Sequence, residues 1–531
     1  MPPGKGGRME RLMSEKTNQA ASPNALNRAK TYQLVLFPMN NGATNVYYIL
    51  TMNFIAYYAN GVLGLLLAFA TTMVTVMRVF DAITDPIIGA LMDRTSTKWG
   101  KFRPFMVIGN VIMIISSLLL YFGTRVIGDD MMWLRYVAFI LFYALYVIGY
   151  TFQTSVTRSG QTCLTNDPKQ RPLFTIFNTV ASLIGMGLVQ FLAPLVTGGN
   201  YTTETFFNIM IPLAMIVSAI MTVLAIIGIA GKDRPEYFGI GGDSGKEKVK
   251  VKEYVAILKA NKELQRLMVA GAGCKLAFSI ATNMTVLAML YGSMMGDYGG
   301  LYLPMMIVGY VFSVPFFLLT VRTSQKKGQK ASLVFYVRLA LIMYVGVLAL
   351  LIMWKQGVPG VNLSLSHINI YTILFILFFG VGYGAYYATA DMPIPMVADC
   401  SDYETFRSGR YIPGIMGTLF SLVDKLVSSL GSTVVGLAVT AIGLANLPDG
   451  TTPYSEGMHV VVIILFCVVP MVAWIATLIA MKGYKLTGQR MKEIQAINAV
   501  RKDAISKGMN VKEAMTKWTT IDQVPDEFKE I

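Results

Sequence analysis

The chain has 531 residues, of which 54% are hydrophobic and only 14% charged, against about a quarter charged in ordinary globular proteins. Such a composition excludes a string of soluble domains and points to a lipid environment. A formal net charge of +15 would favour nucleic acid as the partner of a soluble protein, but in a membrane protein the position of the charge matters more than its sum.

Residues 1–33 are polar and basic, without the apolar core of a signal peptide. A bilayer core about 30 Å thick takes roughly 20 apolar residues per helical crossing, and twelve such runs follow the tail. They lie at 34–60, 65–92, 102–124, 132–157, 172–197, 205–230, 266–292, 300–321, 331–354, 370–396, 411–443 and 458–481. The polar stretch 231–265, containing GKDRPEYFGIGGDSGKEKVKVKEY, divides them six and six. A second tail, 484–531, closes the chain and is amphipathic in part. The predicted fold class is therefore an all-α polytopic membrane protein: twelve transmembrane helices in two six-helix bundles, 34–230 and 266–483. Of the 45 Lys and Arg, 38 fall in the two tails and the even-numbered connections, counting Arg103, Arg266 and Lys482 at the bordering run ends, leaving Arg125, Arg135 and Lys355 on the opposite side. That asymmetry predicts both termini in the cytoplasm and a multi-pass protein of the cell membrane.

The four cysteines have neither disulfide nor metal spacing. No phosphate-cradling glycine loop, nucleophile elbow or metal-binding histidine pair is present. The reading is a carrier rather than an enzyme, with no cofactor and no nucleic-acid partner, powered by an ion gradient.

Asp81 and Asp85 stand four apart in the second run, so on a helix they share one face about 6 Å apart along the axis. Each ionisable group near a helix centre costs roughly 2.5–3.5 kcal/mol on insertion scales, so the pair needs compensation. A small hard cation or a proton supplies it, since two competing carboxylates favour protonation of one. The competing reading is a salt bridge from Arg78, one turn earlier. In the first run, Asn40, Asn41, Asn45 and Tyr47 either line a cavity or make interhelical hydrogen bonds. The glycines of LIGMGLVQFLAPL read as helix packing through small residues. The second half carries Lys275, Asp391, Asp424 and Lys425. Unpaired, its lysines would suit an anionic substrate such as a uronide, whereas internal pairing would leave a neutral sugar site.

From Arg78 to Pro104 the chain reads RVFDAITDPIIGALMDRTSTKWGKFRP, and between the tenth and eleventh runs it reads PMVADCSDYETFRSGRY. With Lys425 and the first run, these segments closely resemble the glycoside-pentoside-hexuronide:cation symporters, the melibiose permease-like branch of the major facilitator superfamily. The resemblance covers essentially the whole membrane domain and implies the major facilitator fold. It also implies Na+- or H+-coupled symport of a sugar, glycoside, pentoside or hexuronide by alternating access around a midplane site.

In that family the matching aspartate pair forms the cation site with a hydroxyl from the fourth helix, a place held here by Thr151. The family's sugar contacts include a carboxylate in the first helix and another in the fourth. Their places are held by Asn40 and Thr154, which bond hydroxyls without charge. Arg158 stands where an aromatic residue is expected and Asn178 where a basic one is. The implied substrate set is Asn40, Tyr47, Thr154, Arg158 and Lys425. A cytoplasmic set of ion pairs is implied for Asp93, Arg94, Lys101, Arg103, Asp399, Asp402 and Arg410. Expected partners are a small sugar or derivative, the coupling cation and the bilayer, with a monomer as the default. Facilitated diffusion or exchange, carriage of a non-sugar amphiphile, and a transporter-like sensor or scaffold remain open as alternatives.

Overall fold

The computed structural model describes residues 28–95, 97–165, 170–234, 257–358, 360–409 and 413–528. Most of the 231–265 connection lies outside them. Among the described residues ten helices are long and apolar enough to cross a membrane, and one further span is a bent pair, Lys262–Ala281 with Met284–Met294, angled by 45°. Eleven of the twelve expected runs thus have a counterpart, and the count of twelve is not reached. The exception is the first. Met39–Val62 is helical throughout, but its ladder switches from α (α1, Met39–Ile49) to π at Leu50–Phe54 and again at Tyr58–Val62. Each π stretch admits an extra residue per turn and rotates the side chains that follow it, a feature concentrated at functional sites. The bend in the seventh span has a local cause. The Asn283 side chain accepts the Thr285 N–H at 3.0 Å, capping a new helix directly after the old one.

Apart from the short turns Thr31–Leu36 and Gln161–Leu164, the helices that follow are α2 (Leu67–Arg94), α3 (Arg103–Tyr121), α4 (Met132–Ser159), α5 (Gln170–Thr197), α6 (Glu204–Ile229), α7 (Lys262–Ala281), α8 (Tyr298–Lys327), α9 (Gln329–Met353), α10 (Ile370–Thr389), α11 (Pro393–Ser408), α12 (Pro413–Ala441), α13 (Met458–Gly483), α14 (Gly488–Ser506) and α15 (Val511–Lys517). Asparagine or aspartate caps start four of them: Asn261 on α7, Asp297 on α8, Asn369 on α10 and Asn510 on α15. Gly328, at φ +87°, separates α8 from α9 in a conformation that disfavours any other residue.

The described residues within Met1–Leu63, Phe80–Val196 and Thr203–Glu247 pack together as unit 1. Those within Gly64–Val79, Thr197–Thr202 and Lys248–Ile531 form unit 2, so α2 contributes to both. In unit 1, Gly185 of α5 lies directly against the backbone of Gly42 in α1, leaving no room for a Cβ. This is the small-residue packing expected of that glycine-rich stretch. In unit 2, the start of α2 is fastened to α12 by hydroxyls: Thr75 donates to the Ser429 carbonyl at 3.0 Å, and Thr433 to that of Thr71 at 3.3 Å.

Residues after α13 form a small folded module in unit 2. Ala496, Ile497, Val500 and Val524 are buried together, with Phe406 of α11, Trp518 and Ile521 packed on them. At its centre the guanidinium of Arg501 donates to the carbonyls of Phe406 at 2.7 Å and Trp518 at 2.9 Å. It also lies over the Phe406 ring at 5.0 Å. The amphipathic pattern of this tail is thus spent on docking against α11.

Candidate functional site

Asp81 is 1% exposed, in the middle of α2. Its Oδ1 accepts a hydrogen bond from the Thr151 hydroxyl of α4 at 2.9 Å. Thr84, one turn beyond Asp81, places its own hydroxyl 3.1 Å from that of Thr151. Both hydroxyls also lie within bonding distance of a carbonyl on their own helix, Thr84 to Asp81 at 3.0 Å and Thr151 to Val147 at 2.9 Å. One hydroxyl proton serves one strong bond, so each threonine keeps lone pairs available to a third party. Asp85, half-buried, follows on the same face of α2. The result is a cluster of carboxylate and hydroxyl oxygens, the donor chemistry that suits a small hard cation or a proton.

The first helix divides by face. Asn40 is completely buried, and its Nδ2 donates to the Gln153 carbonyl at 2.9 Å and the Thr157 hydroxyl at 2.7 Å. Tyr47 is 2% exposed, its ring edge-on to Tyr146 at 5.9 Å. Both side chains are therefore engaged between α1 and α4, the interhelical alternative, and offer almost no accessible surface. The half-buried positions are Asn41, Asn45 and Tyr48, one residue further on at helical spacing. Asn41 donates to the Asn178 carbonyl at 3.3 Å, Asn45 to the Asn41 carbonyl at 2.7 Å, and Tyr48 stacks on Tyr150 at 6.4 Å. Thr154 is half-buried beside Tyr150, whose carbonyl takes its hydroxyl proton at 3.0 Å. Unit 1 thus presents a neutral, polar and aromatic surface on α1 and α4, the second of which also supplies Thr151 to the oxygen cluster. Composition had singled out Asn41 and Asn45, but not Tyr48, Tyr150 or Thr84. The signal that finds the first of these is the period 41, 45, 48.

Lys425 is 5% exposed in α12 of unit 2. Lys275 of α7 lies 3.0 Å from Asp391 and 3.7 Å from Asp424. Its charge is met by two carboxylates. Of the expected cytoplasmic set, Arg103 pairs with Asp233 at 3.4 Å inside unit 1. Asp233, fully buried, also accepts the backbone N–H groups of Lys101 at 2.8 Å, Phe102 at 3.0 Å and Arg103 at 2.9 Å. A carboxylate collecting the free N–H groups at the start of α3 complements the positive end of the helix dipole. Asp399 and Asp402 lie on α11, where Asp402 meets Gln495 of the terminal module at 3.4 Å. On the same helix Glu404 is contacted by Arg407 at 2.7 Å and by Asn261 at 3.0 Å. The side chains of Asp93, Arg94 and Arg158, and all of Arg410, lie outside the described residues.

These features define a polytopic helical transporter with a buried oxygen cluster in its first unit. The family model described as MFS/sugar transport protein matches residues 37–488, and the chain belongs to that family. It is 25% identical over 84% of its length to YagG of Escherichia coli, a candidate glycoside/cation symporter, covering 89% of that protein. Lactose permease of Lactobacillus helveticus is 22% identical over 79% of this chain and 64% of the permease. The isoprimeverose transporter of Lactiplantibacillus pentosus is 24% identical over 77% of this chain and 79% of its own. Among solved structures, the nucleoside transporter NupG superposes with a TM-score of 0.55 at 14% identity, covering 86% of this chain and all of NupG. A bacterial homologue of the lysosomal transporter Spinster gives 0.53 at 14% identity over 86% of this chain and 97% of its own. The protein is a membrane transporter of the MFS/sugar transport protein family, and not an enzyme.

Proposed function

We propose that the chain couples entry of a neutral sugar or glycoside to a cation, Na+ or H+, by alternating access, with both termini in the cytoplasm. The observation that carries this reading is the Asp81–Thr151–Thr84 cluster. The Asp81 carboxylate is buried and accepts the Thr151 hydroxyl of α4, a helix that also carries Thr154 and, stacked on Tyr48 of α1, Tyr150. A cation bound there offsets the cost of a buried negative charge, and linkage then requires cation and sugar to tighten one another by the same factor. Pairing of Lys275 with Asp391 and Asp424 favours an uncharged substrate over a uronide, because that lysine is not a vacant anion receptor. The Lys and Arg distribution supports the cytoplasmic placement of the tails.

The test is uptake of labelled lactose and isoprimeverose into membrane vesicles carrying the full chain, under imposed Na+ and H+ gradients. Gradient-driven accumulation should disappear in Asp81→Asn and Asp85→Asn. Undiminished accumulation in both variants would reject the coupling site.

A further inference from the structure

Unit 2 holds a charge cluster for which the cation site has no use. Lys275 lies 13 residues into α7, about 20 Å along its axis. It contacts Oδ1 of Asp391, at the break between α10 and α11, and Oδ1 of Asp424 in α12. Arg78 of α2, in the same unit, adds a second cation to the surroundings of Asp424. Two features set the cluster apart from a structural salt bridge. The Asp391 side chain is 64% exposed and that of Asp424 31%, against 18% for the lysine between them. An ionised carboxylate has about four lone-pair sites, so both retain acceptor capacity on an accessible surface.

The second feature is aromatic. Phe278 stands one turn along α7 from Lys275, and Tyr387 one turn before Asp391. Both are half-buried, and their rings meet edge to face at 5.3 Å. Tyr310 lies edge-on to Tyr387 at 6.0 Å, and the Tyr387 phenol feels the charges of both Asp391 and Lys275. Carboxylate acceptors, an ammonium donor and aromatic rings on one surface are the complement of a pyranose, which offers hydroxyl donors, oxygen acceptors and an apolar C–H face.

We propose that Asp391 and Asp424, held in place by Lys275 and flanked by Phe278 and Tyr387, recognise the hydroxyl groups of the transported neutral sugar. The proposal rests on the sugar-symport reading above. The carboxylates accept hydrogen bonds from sugar hydroxyls, Lys275 fixes their orientation, and the rings take the C–H face.

The experiment measures the concentration dependence of lactose and isoprimeverose uptake, with p-nitrophenyl glucuronide as competitor, in vesicles carrying the wild type, Asp391→Asn, Asp424→Asn and Lys275→Arg. We expect KM for the neutral sugar to rise at least tenfold in each Asn variant and to stay within about threefold in Lys275→Arg. The cation concentration for half-maximal uptake should be unchanged at saturating sugar. The Asn variants should also be inhibited more strongly by the glucuronide, because Lys275 has lost a neutralising partner, an effect that mere loosening of the helices would not produce. Should an Asn variant fail to reach the membrane, the Glu variant at that position takes its place, with the same rise in KM expected from the displaced carboxylate. Wild-type uptake of a neutral sugar with KM unaltered in the variants would overturn this proposal and leave sugar symport standing. Absence of wild-type uptake of either sugar above an Asp81→Asn control would overturn symport of these sugars, and this proposal with it.

Discussion

Thr151→Val is the most informative single change at the oxygen cluster. It keeps the shape of the side chain and removes one hydroxyl from a fully buried position, where that hydroxyl stands 2.9 Å from a carboxylate that is 1% exposed. A hydrogen bond to a charged group contributes about 1.5–3 kcal/mol, and about 1.4 kcal/mol corresponds to a factor of ten. If the hydroxyl is a ligand of the coupling cation, its loss should raise the half-saturating cation concentration for sugar uptake by roughly 10- to 100-fold. Thr151→Ser should recover most of that loss. Linkage then lowers sugar affinity at fixed, subsaturating cation, by no more than the factor by which the cation tightens the sugar. The assay is initial-rate uptake in vesicles at a series of Na+ concentrations and pH values, with the amount of inserted protein checked by immunoblot. Cation activation within twofold of wild type, in a fully inserted Thr151→Val protein, would refute the assignment of this hydroxyl.

Three further outcomes follow from the structure. Asp233→Ala should lower the detergent-solubilised melting temperature, because it strands three backbone N–H groups at the start of α3; a cap alone is worth about 0.5–2 kcal/mol and a charged one more. Cys163, outside the membrane spans, has its thiol pushed up to about 12, chiefly by burial and further by the nearby Asp233 charge. Maleimide should therefore leave it unlabelled at pH 7–8 in the folded protein, and label it promptly after denaturation. Arg501→Ala should loosen the terminal module by about 2–3 kcal/mol through loss of charge-assisted bonds, read as faster amide exchange in α14 with exchange in α7 unchanged.

Much of the architecture is legible in the sequence because a bilayer imposes one length on every crossing. Runs such as 205–230 and 331–354 reappear as Glu204–Ile229 and Gln329–Met353. The first run is the exception, because its ladder switches from α to π at Leu50–Phe54 and again at Tyr58–Val62, which apolar length alone does not announce. The aspartate pair is visible as two charges on one helical face, and the resemblance pointed to Thr151, which the structure sets against Asp81. Helix phase is less legible. Asn40 and Asn41 are equally polar in sequence, yet only neighbours on α4 and α5 decide that the first is enclosed and the second half-accessible. The partners of Lys275 and Arg103 lie more than a hundred residues away, so no local pattern announces them. Asp233 sits in a stretch that reads as a connecting loop, and its role emerges only from the three N–H groups it collects.

Direct observation of cation movement tests the central claim most stringently. Adding lactose or isoprimeverose, without any imposed gradient, to lightly buffered vesicles carrying the wild-type chain should drive inward flux of Na+ or H+, recorded with an ion-selective or pH electrode, and Asp81→Asn should abolish it. Sugar entering the wild-type vesicles with neither ion following would contradict the account.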